Sequence, residues 1–239
     1  MRDRRSEGSC CSDHGPRRSV PALWLVPLQQ GWHDTPQQGT QSQEWLSAQE
    51  TAWAAALPPR RRDRYRLSRA WMRQLLGDLF SVDPRDLPLQ APPGLPPELA
   101  RSWGSVSLSH CCDALLVGWA PDRLGVDLER RDRAVPARAL AERFFLEPEC
   151  RALLGLEGQA LREAVLDLWV VKEAAIKWQH GSIARDLSQW SCRPEGDRVV
   201  HRTGGWTLAV QRWQVGDWTL AMAGSPRPEA GQAGILCLA

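Results

Sequence analysis

Two short stretches of the sequence carry residues suited to binding a metal ion. The first is Gly125–Glu129, with the sequence GVDLE, which reads as a strand. Residues two apart on a strand face the same side, so Asp127 and Glu129 project together. Two carboxylates at this spacing suit Mg²⁺, which commonly takes one or two carboxylates together with substrate phosphates. The alternative is a solvated polar face at the end of a strand.

The second stretch is Trp169–Lys177, with the sequence WVVKEAAIK. Glu173 and Lys177 are four residues apart and share a helix face, whereas Lys172 is turned away by about 100°. An exposed pair of this kind is common and stabilises a helix by only about 0.3–0.5 kcal/mol. However, Lys172 and Lys177 are the only lysines among 30 basic residues, and an ammonium is chemically distinct from a guanidinium. We therefore predict a third carboxylate here, with both lysines balancing polyphosphate charge.

A polar strand end, Ser107–His110 with the sequence SLSH, precedes both stretches. Alternation places Ser107 and Ser109 on one face, with His110 at the end. Adjacent residues do not easily form a nucleophile–base pair, and no G-x-S-x-G elbow accompanies them. Donation to a phosphate is the functional interpretation, and a strand-capping polar pair is the alternative.

Seven arginines lie on the helix predicted between residues 60 and 80. They could contact the phosphates of a small ligand or an acidic protein, or form a solvated face. Nucleic acid is a weaker alternative, because the net charge is only +2 and no aromatic platform for stacking bases is interleaved with the arginines. These arginines are Arg60, Arg61, Arg62, Arg64, Arg66, Arg69 and Arg73.

The composition of the 239 residues is that of an ordinary globular protein. The seven cysteines include two adjacent pairs and no C-x-x-C, which favours reduced thiols and a cytoplasmic location. No apolar run approaches the ~20 residues that span a bilayer. Met1–Arg18 lacks the apolar stretch of a signal peptide, so we predict that residues 1–19 are a disordered tail.

The order of the elements predicts an α+β protein. Two halves each combine a small, mostly antiparallel sheet with helices, and the join falls near Pro121–Leu124. We expect an N-terminal subdomain over residues 20–121, a C-terminal subdomain with the metal motifs over 122–224 and a loose tail over 225–239. The predicted helices are Glu44–Leu57, Arg60–Phe80, Pro136–Phe145, Pro148–Leu156 and Leu161–His180. The predicted strands are Val20–Leu28, an antiparallel meander of Gly104–Ser109, Ala114–Ala120 and Leu124–Glu129, and the closing strands Arg198–Arg202, Trp206–Trp213 and Trp218–Ala223.

Read in order, these pieces resemble the 4′-phosphopantetheinyl transferase family in its single-chain, pseudo-twofold form. The matching pieces are SLSH at 107–110, GVDLE at 125–129, RFF at 143–145 and WVVKEAAIK at 169–177. The resemblance implies Mg²⁺-dependent transfer of phosphopantetheine from coenzyme A to a serine of an apo acyl- or peptidyl-carrier protein, with release of 3′,5′-ADP. It also implies a monomer, because a duplicated fold supplies the second half of the site within one chain.

The resemblance assigns roles to individual residues. Asp127, Glu129 and Glu173 would hold Mg²⁺ against the pyrophosphate, and Glu173 would be the base for the carrier serine. Lys177 would neutralise or protonate the leaving phosphate. The coenzyme A contacts implied by the resemblance come from Ser109, His110, Lys172, Arg73 and Arg61.

Three departures from the family pattern leave the proposed metal ligands intact. Pro93–Pro96 has no lysine where relatives often have Gly-Lys-Pro, His180–Ile183 differs from the usual Gly-rich turn, and Cys111–Cys112 follow the Ser-His pair. A rival hypothesis is a non-catalytic relative that binds coenzyme A or a carrier protein. The natural carrier, whether of fatty-acid, polyketide or non-ribosomal peptide synthesis, is not readable from these motifs.

Overall fold

A computed structural model describes residues 20–28, 32, 44–193 and 196–225, together with the backbone of 235–237. Its α-helices are α1 (Ala48–Ala55), α2 (Pro59–Phe80), α3 (Ala137–Phe144), α4 (Glu147–Ala152), α5 (Gly158–Gln179) and α6 (Ile183–Asp186). Its strands are β1 (Ala22–Pro27), β2 (Leu89–Gln90), β3 (Glu98–Leu99), β4 (Ser105–His110), β5 (Ala114–Ala120), β6 (Leu124–Arg130), β7 (Trp190–Cys192), β8 (Arg198–His201), β9 (Thr207–Val215), β10 (Trp218–Gly224) and β11 (Ile235–Cys237).

Helix α2 covers one face of a sheet with the strand order β11-β1-β5-β4. Proline at the first position of α2 suits a helix start, because its missing N–H would have no partner there. The apolar stripe of α2, including Leu67, Leu75 and Leu76, packs on Trp24 and Val117 of the sheet. Burial of this stripe holds the long helix against the strands.

Helix α5 covers the outer face of a second, antiparallel sheet with the order β6-β10-β9-β8-β7. Its buried residues Val165, Leu168 and Val171 pack with Leu208 and Val210 of β9. The helix ends at His180, which has left-handed backbone angles (φ 57°). The Gly181 N–H then donates to the Ile176 carbonyl at 2.9 Å, and this bond closes the last turn.

The inner faces of the two sheets pack against each other. Leu23, Leu25 and Leu116 of the first sheet form one buried cluster with Val126 and Leu128 of the second. The layers are therefore α2, first sheet, second sheet and α5. Because strand residues alternate between faces, placing Val126 and Leu128 inward turns Asp127 and Glu129 toward α5.

The prediction of helices combined with antiparallel sheets is confirmed, but the three-strand meander is wrong. Strands β4 and β5 pair as expected, whereas β6 pairs with β10 in the other sheet. The connection at residues 121–123 carries the chain from one layer to the next, so β5 and β6 meet through side chains. Whether the two halves are related by a pseudo-twofold axis stays a prediction, as do the subdomain boundaries.

Both ends of the chain bear on the remaining predictions. Ile235–Cys237, predicted as part of a loose tail, pairs in parallel with Leu23–Leu25, because the edge of β1 offers unpaired backbone groups. The predicted tail over 1–19 lies outside the described residues. In the part of the chain that the structure describes, no helix combines the length and apolar character needed to cross a membrane.

The backbones of β6 and α5 approach each other closely at Gly125. A Cβ atom at this position would lie 1.9 Å from the Ala174 carbonyl oxygen and 2.5 Å from the Trp178 nitrogen. Any larger residue would force strand and helix apart. The glycine of the GVDLE motif is therefore a packing requirement, and it brings the strand carboxylates next to the helix.

Replacing Gly125 with alanine tests this close approach. We expect the free energy of unfolding to fall by about 1–3 kcal/mol, since overpacking of this kind displaces backbone rather than a flexible side chain. Urea unfolding followed by circular dichroism measures the change. Gly224→Ala in the neighbouring strand is the matched control, because its nearest new contact would be an ordinary 3.6 Å. An equal loss of stability in both variants would contradict the argument.

Candidate functional site

An open pocket of about 490 Å³ lies where both sheets and both long helices meet. Strands β4 and β6, helices α2 and α5 and the loop at residues 93–95 supply its walls. The charged and polar residues that line it are Arg61, Arg64, Tyr65, Ser68, Arg69, Ser109, His110, Asp127, Glu129, Glu173 and Lys177. Most of the site residues predicted from sequence therefore share one cavity, although they come from segments far apart in the chain.

Asp127 is held from one side only. Its Oδ1 accepts hydrogen bonds from the Ser109 hydroxyl and from the Lys177 ammonium, both at 2.7 Å. Its Oδ2 is buried and has no hydrogen-bond partner among the described residues. A buried carboxylate oxygen without a donor is unfavourable in the absence of a ligand. The free oxygen is therefore a candidate ligand atom for a cation.

Burial and mutual repulsion raise the pKa values of the other two carboxyl groups. Desolvation is the larger cause for Glu129, followed by the charge of Asp127, and its pKa is raised to about 7 although Arg133 is an ion-pair partner. For Glu173, desolvation and then Asp127 raise the pKa to about 8, against the opposing charge of Lys177. A divalent cation would relieve this repulsion.

The chemistry of these donors fits Mg²⁺. Asp127, Glu129 and Glu173 offer hard oxygen atoms beside a cationic wall, which matches a cation that shares its coordination with phosphates. The three carboxyl groups share the pocket without forming a compact set. The compact set found in the described residues is Cys111, Cys112 and Asp113, whose ligand atoms lie within 4.8 Å of one another.

A row of arginines on α2 faces the carboxylates across the pocket. Arg61, Arg64 and Arg69 line the cavity, and no carboxylate of the described residues lies within ion-pair distance of them. Arg69 is largely buried, and its Nε donates to the Ala91 carbonyl at 3.2 Å. Arg64 and Arg69 are absent from the residues predicted by resemblance, but they follow Arg61 by three and eight residues, a spacing that places all three on one broad helix face.

His110 stands at the pocket rim, with its ring edge-on to Trp32 at 5.2 Å between centroids. Its pKa is lowered, first by desolvation and then by the nearby charges of Arg64 and Lys177. The imidazole is therefore neutral at neutral pH and offers one donor and one acceptor. Its contact with a phosphate-bearing ligand stays a prediction.

Lys172 does not line the pocket, so the prediction that it balances polyphosphate charge and contacts coenzyme A is wrong. Its side chain is fully buried, and its Nζ donates to Glu149 Oε2 at 2.6 Å. The physical reason is its position on the helix, one residue before Glu173 and thus about 100° away. Lys177 is the lysine that faces the site.

Arg73 is also absent from the pocket, which corrects its predicted contact with coenzyme A. It is buried, paired with Glu50 at 2.5 Å, and donates to the carbonyl oxygens of Pro84 and Leu89. Four residues earlier on the same helix, Arg69 occupies the pocket wall instead. Arg73 therefore connects α2 to α1 and to residues 84–89, which follow α2 in the chain.

The two serines of the SLSH stretch connect the strands β4 and β6, which belong to different sheets. The Ser107 hydroxyl accepts the Val126 N–H at 3.1 Å, and the Ser109 hydroxyl donates to Asp127. Ser109 lines the pocket, but its hydroxyl proton already forms the hydrogen bond to the Asp127 carboxylate. Sequence reasoning found the right face and missed the partner, because no local pattern shows which strand lies opposite.

Comparison with models of known protein families found a match to part of the chain. Residues 123–223 match the family model described as the 4′-phosphopantetheinyl transferase superfamily. The matched part includes Asp127, Glu129, Glu173 and Lys177. The resemblance to this superfamily is thus confirmed for residues 123–223. No curated protein matches the chain in the corresponding search.

The raised pKa values predict how stability depends on pH. Between the unfolded pKa near 4.5 and the folded values of about 7 and 8, the native state holds protons that the unfolded chain has released. The contribution of these groups to the free energy of unfolding therefore decreases as pH rises through this window, by up to about 1.4 kcal/mol per pH unit for each proton.

Denaturant unfolding at a series of pH values, without divalent cations, measures this slope. Glu173→Gln should make the decrease shallower, since it removes one of the two titrations. Glu163→Gln, a variant of a half-buried pair on the same helix, should leave the slope unchanged, because the pKa of Glu163 is lowered and lies outside the window. A slope that is identical in all three proteins would refute the electrostatic account.

Proposed function

We propose that this protein transfers 4′-phosphopantetheine from coenzyme A to a serine of an acyl- or peptidyl-carrier protein with the aid of Mg²⁺. The observation that carries the proposal is the pocket itself. Asp127, Glu129, Glu173 and Lys177, all within the matched segment, face the arginine row of α2 across about 490 Å³. Phosphoryl transfer depends mainly on positioning and charge neutralisation, and this arrangement offers both.

The carboxylate side would hold the cation. Asp127 contributes its free Oδ2, while Ser109 and Lys177 keep Oδ1 occupied. Glu129 and Glu173 would complete the protein ligands. Mg²⁺, when bound, supplies positive charge to the pyrophosphate oxygens.

The cationic side would hold the phosphates of coenzyme A. Lys177 stands beside the carboxylates and would neutralise the leaving 3′,5′-ADP. Arg61, Arg64 and Arg69 line the opposite wall, and His110 adds a neutral donor at the rim. Because the loop at residues 93–96 has no lysine, these arginines would supply the positive charge at the adenosine end of coenzyme A.

In the proposed reaction the serine hydroxyl of the carrier attacks the β-phosphorus. The new P–O bond forms as the bond between this phosphorus and the bridging oxygen breaks, and the electron pair leaves with 3′,5′-ADP. Glu173 accepts the serine proton, directly or through water.

We further propose that one chain forms the complete site. The pocket takes α2, β4 and the loop at residues 93–95 from the half assigned to residues 20–121. It takes β6 and α5 from the half assigned to 122–224. A monomer with two subdomains related by a pseudo-twofold axis would then need no partner subunit. We propose that the protein acts in the cytoplasm, where coenzyme A and carrier proteins are available.

A transfer assay tests the reaction. We expect that incubation with coenzyme A, Mg²⁺ and an apo carrier protein adds phosphopantetheine to the carrier, as seen in its intact mass. Asp127→Ala and Glu173→Gln should each lower kcat by about 10² or more, since each removes charge organisation at the reacting centre. Glu163→Gln on the same helix is the control. Binding of coenzyme A without transfer to any of several carriers would instead support a non-catalytic relative.

Coenzyme A and its 3′-dephospho form separate the roles of the arginines. We expect Arg61→Ala and Arg64→Ala to raise the KM for coenzyme A about 10-fold or more, because a charge-assisted bond to phosphate contributes about 1.5–3 kcal/mol. The effect should shrink with the dephospho substrate. Arg60→Ala, an exposed neighbour outside the pocket, serves as the control. An equal rise in KM for both substrates would show that these side chains do not bind the 3′-phosphate.

A further inference from the structure

A sealed ion pair lies on the face of α5 that points away from the pocket. Lys172 and Glu149 have side chains with no exposed surface, and their Nζ and Oε2 atoms are 2.6 Å apart. The Lys172 ammonium also stands over the ring of Phe145, 4.8 Å from its centroid. Burying two charges is costly, and an apolar pair of similar size is often no less stable. The pair therefore calls for an explanation other than stability.

Glu149 connects three elements through a single carboxylate. Its Oε2 accepts the Leu146 N–H at 2.7 Å at the start of α4, as well as the Lys172 ammonium. Its Oε1 accepts the Cys192 N–H at 2.8 Å in β7. The two backbone N–H groups thus hold the carboxylate in place. They thereby also fix the position at which it accepts the hydrogen bond from Lys172.

We propose that Lys172 and Glu149 are positioning residues that set the rotation of α5 and thereby direct Glu173 and Lys177 into the pocket. The proposal rests on the proposed function only for its consequence in catalysis. Residues 172 and 173 are consecutive, so fixing the direction of one side chain fixes that of the next, about 100° around the helix.

Apolar packing alone specifies this rotation less strictly. The buried stripe of α5, including Val165, Leu168, Val171 and Ala175, consists of non-directional contacts between small side chains. A buried polar pair accepts one geometry, because any displacement leaves a charge without its partner. A single buried polar residue is known to fix helix register in coiled coils. Here the element that is fixed carries a predicted metal ligand and the pocket ammonium.

The test removes the ion pair while it retains an oxygen acceptor for one of the two backbone N–H groups. Glu149→Gln/Lys172→Met is the main variant, and Glu149→Met/Lys172→Met is the second, in case the first does not fold. Glu147→Gln/Arg151→Met is the matched control, since that pair lies on the same helix α4 but is exposed. Thermal unfolding and circular dichroism establish which variants are folded.

Three measurements then distinguish positioning from stability. A crystal structure of the folded double variant should show that the 2.7 Å contact between Lys177 and Asp127 is lost. The affinity for Mn²⁺, used as a probe and followed by electron paramagnetic resonance, should fall about 10-fold or more, the range seen when residues that orient metal ligands are removed. The kcat for transfer should fall with it, and the control variant should match the wild type in all three.

The outcomes separate this proposal from the proposed function. If the folded variant keeps the Lys177–Asp127 contact and wild-type Mn²⁺ affinity, the positioning role is overturned, whatever the transfer assay shows. If the wild type transfers nothing to any carrier while the variant loses the contact and the Mn²⁺ site, positioning stands and the transferase assignment fails. A variant that loses only thermal stability would mark the pair as structural and would also overturn the proposal.

Discussion

Helix α5 crosses strand β6 with no side chain between their backbones at Gly125, and the site depends on this contact. The Cβ that is absent there would fall 1.9 Å from the Ala174 carbonyl. Because the strand alternates, Val126 and Leu128 enter the core between the sheets while Asp127 and Glu129 turn toward the helix. Glu173 and Lys177 meet them from the helix side. This single close approach between two backbones thus brings the residues of both motifs into one cavity.

The charges gathered by this contact do not balance within the pocket. Three carboxyl groups share one wall with Lys177, and the free Oδ2 of Asp127 together with the raised pKa values of Glu129 and Glu173 shows that one ammonium does not satisfy them. The opposite wall, with the arginines of α2, carries the reverse excess. A ligand that brings a divalent cation to one wall and phosphates to the other would neutralise both.

The only two lysines of the chain illustrate the limits of reasoning from residue type. Their scarcity rightly marked the helix that carries them, but Lys177 faces the pocket and Lys172 is sealed against Glu149. The arginines repeat the lesson, since Arg73 is buried with Glu50 while Arg69, one turn earlier, lines the cavity. Residue type and frequency predict that a charge matters. Its surroundings decide whether it binds a ligand or another part of the protein.

The sequence by itself determined the local features: the long helices, most strands, the shared face of Asp127 and Glu129, and the common face of Glu173 and Lys177. These follow from periodicities within a few residues, whereas the resemblance to a family came from the order of the motifs SLSH, GVDLE, RFF and WVVKEAAIK. The tertiary structure alone decided that β6 pairs with β10, that Ile235–Cys237 pairs with β1 and that Ser109 donates to Asp127. It also turned Lys172 toward Glu149, 23 residues away. Such contacts join segments distant in the chain, and their partners are fixed by packing rather than by any local pattern.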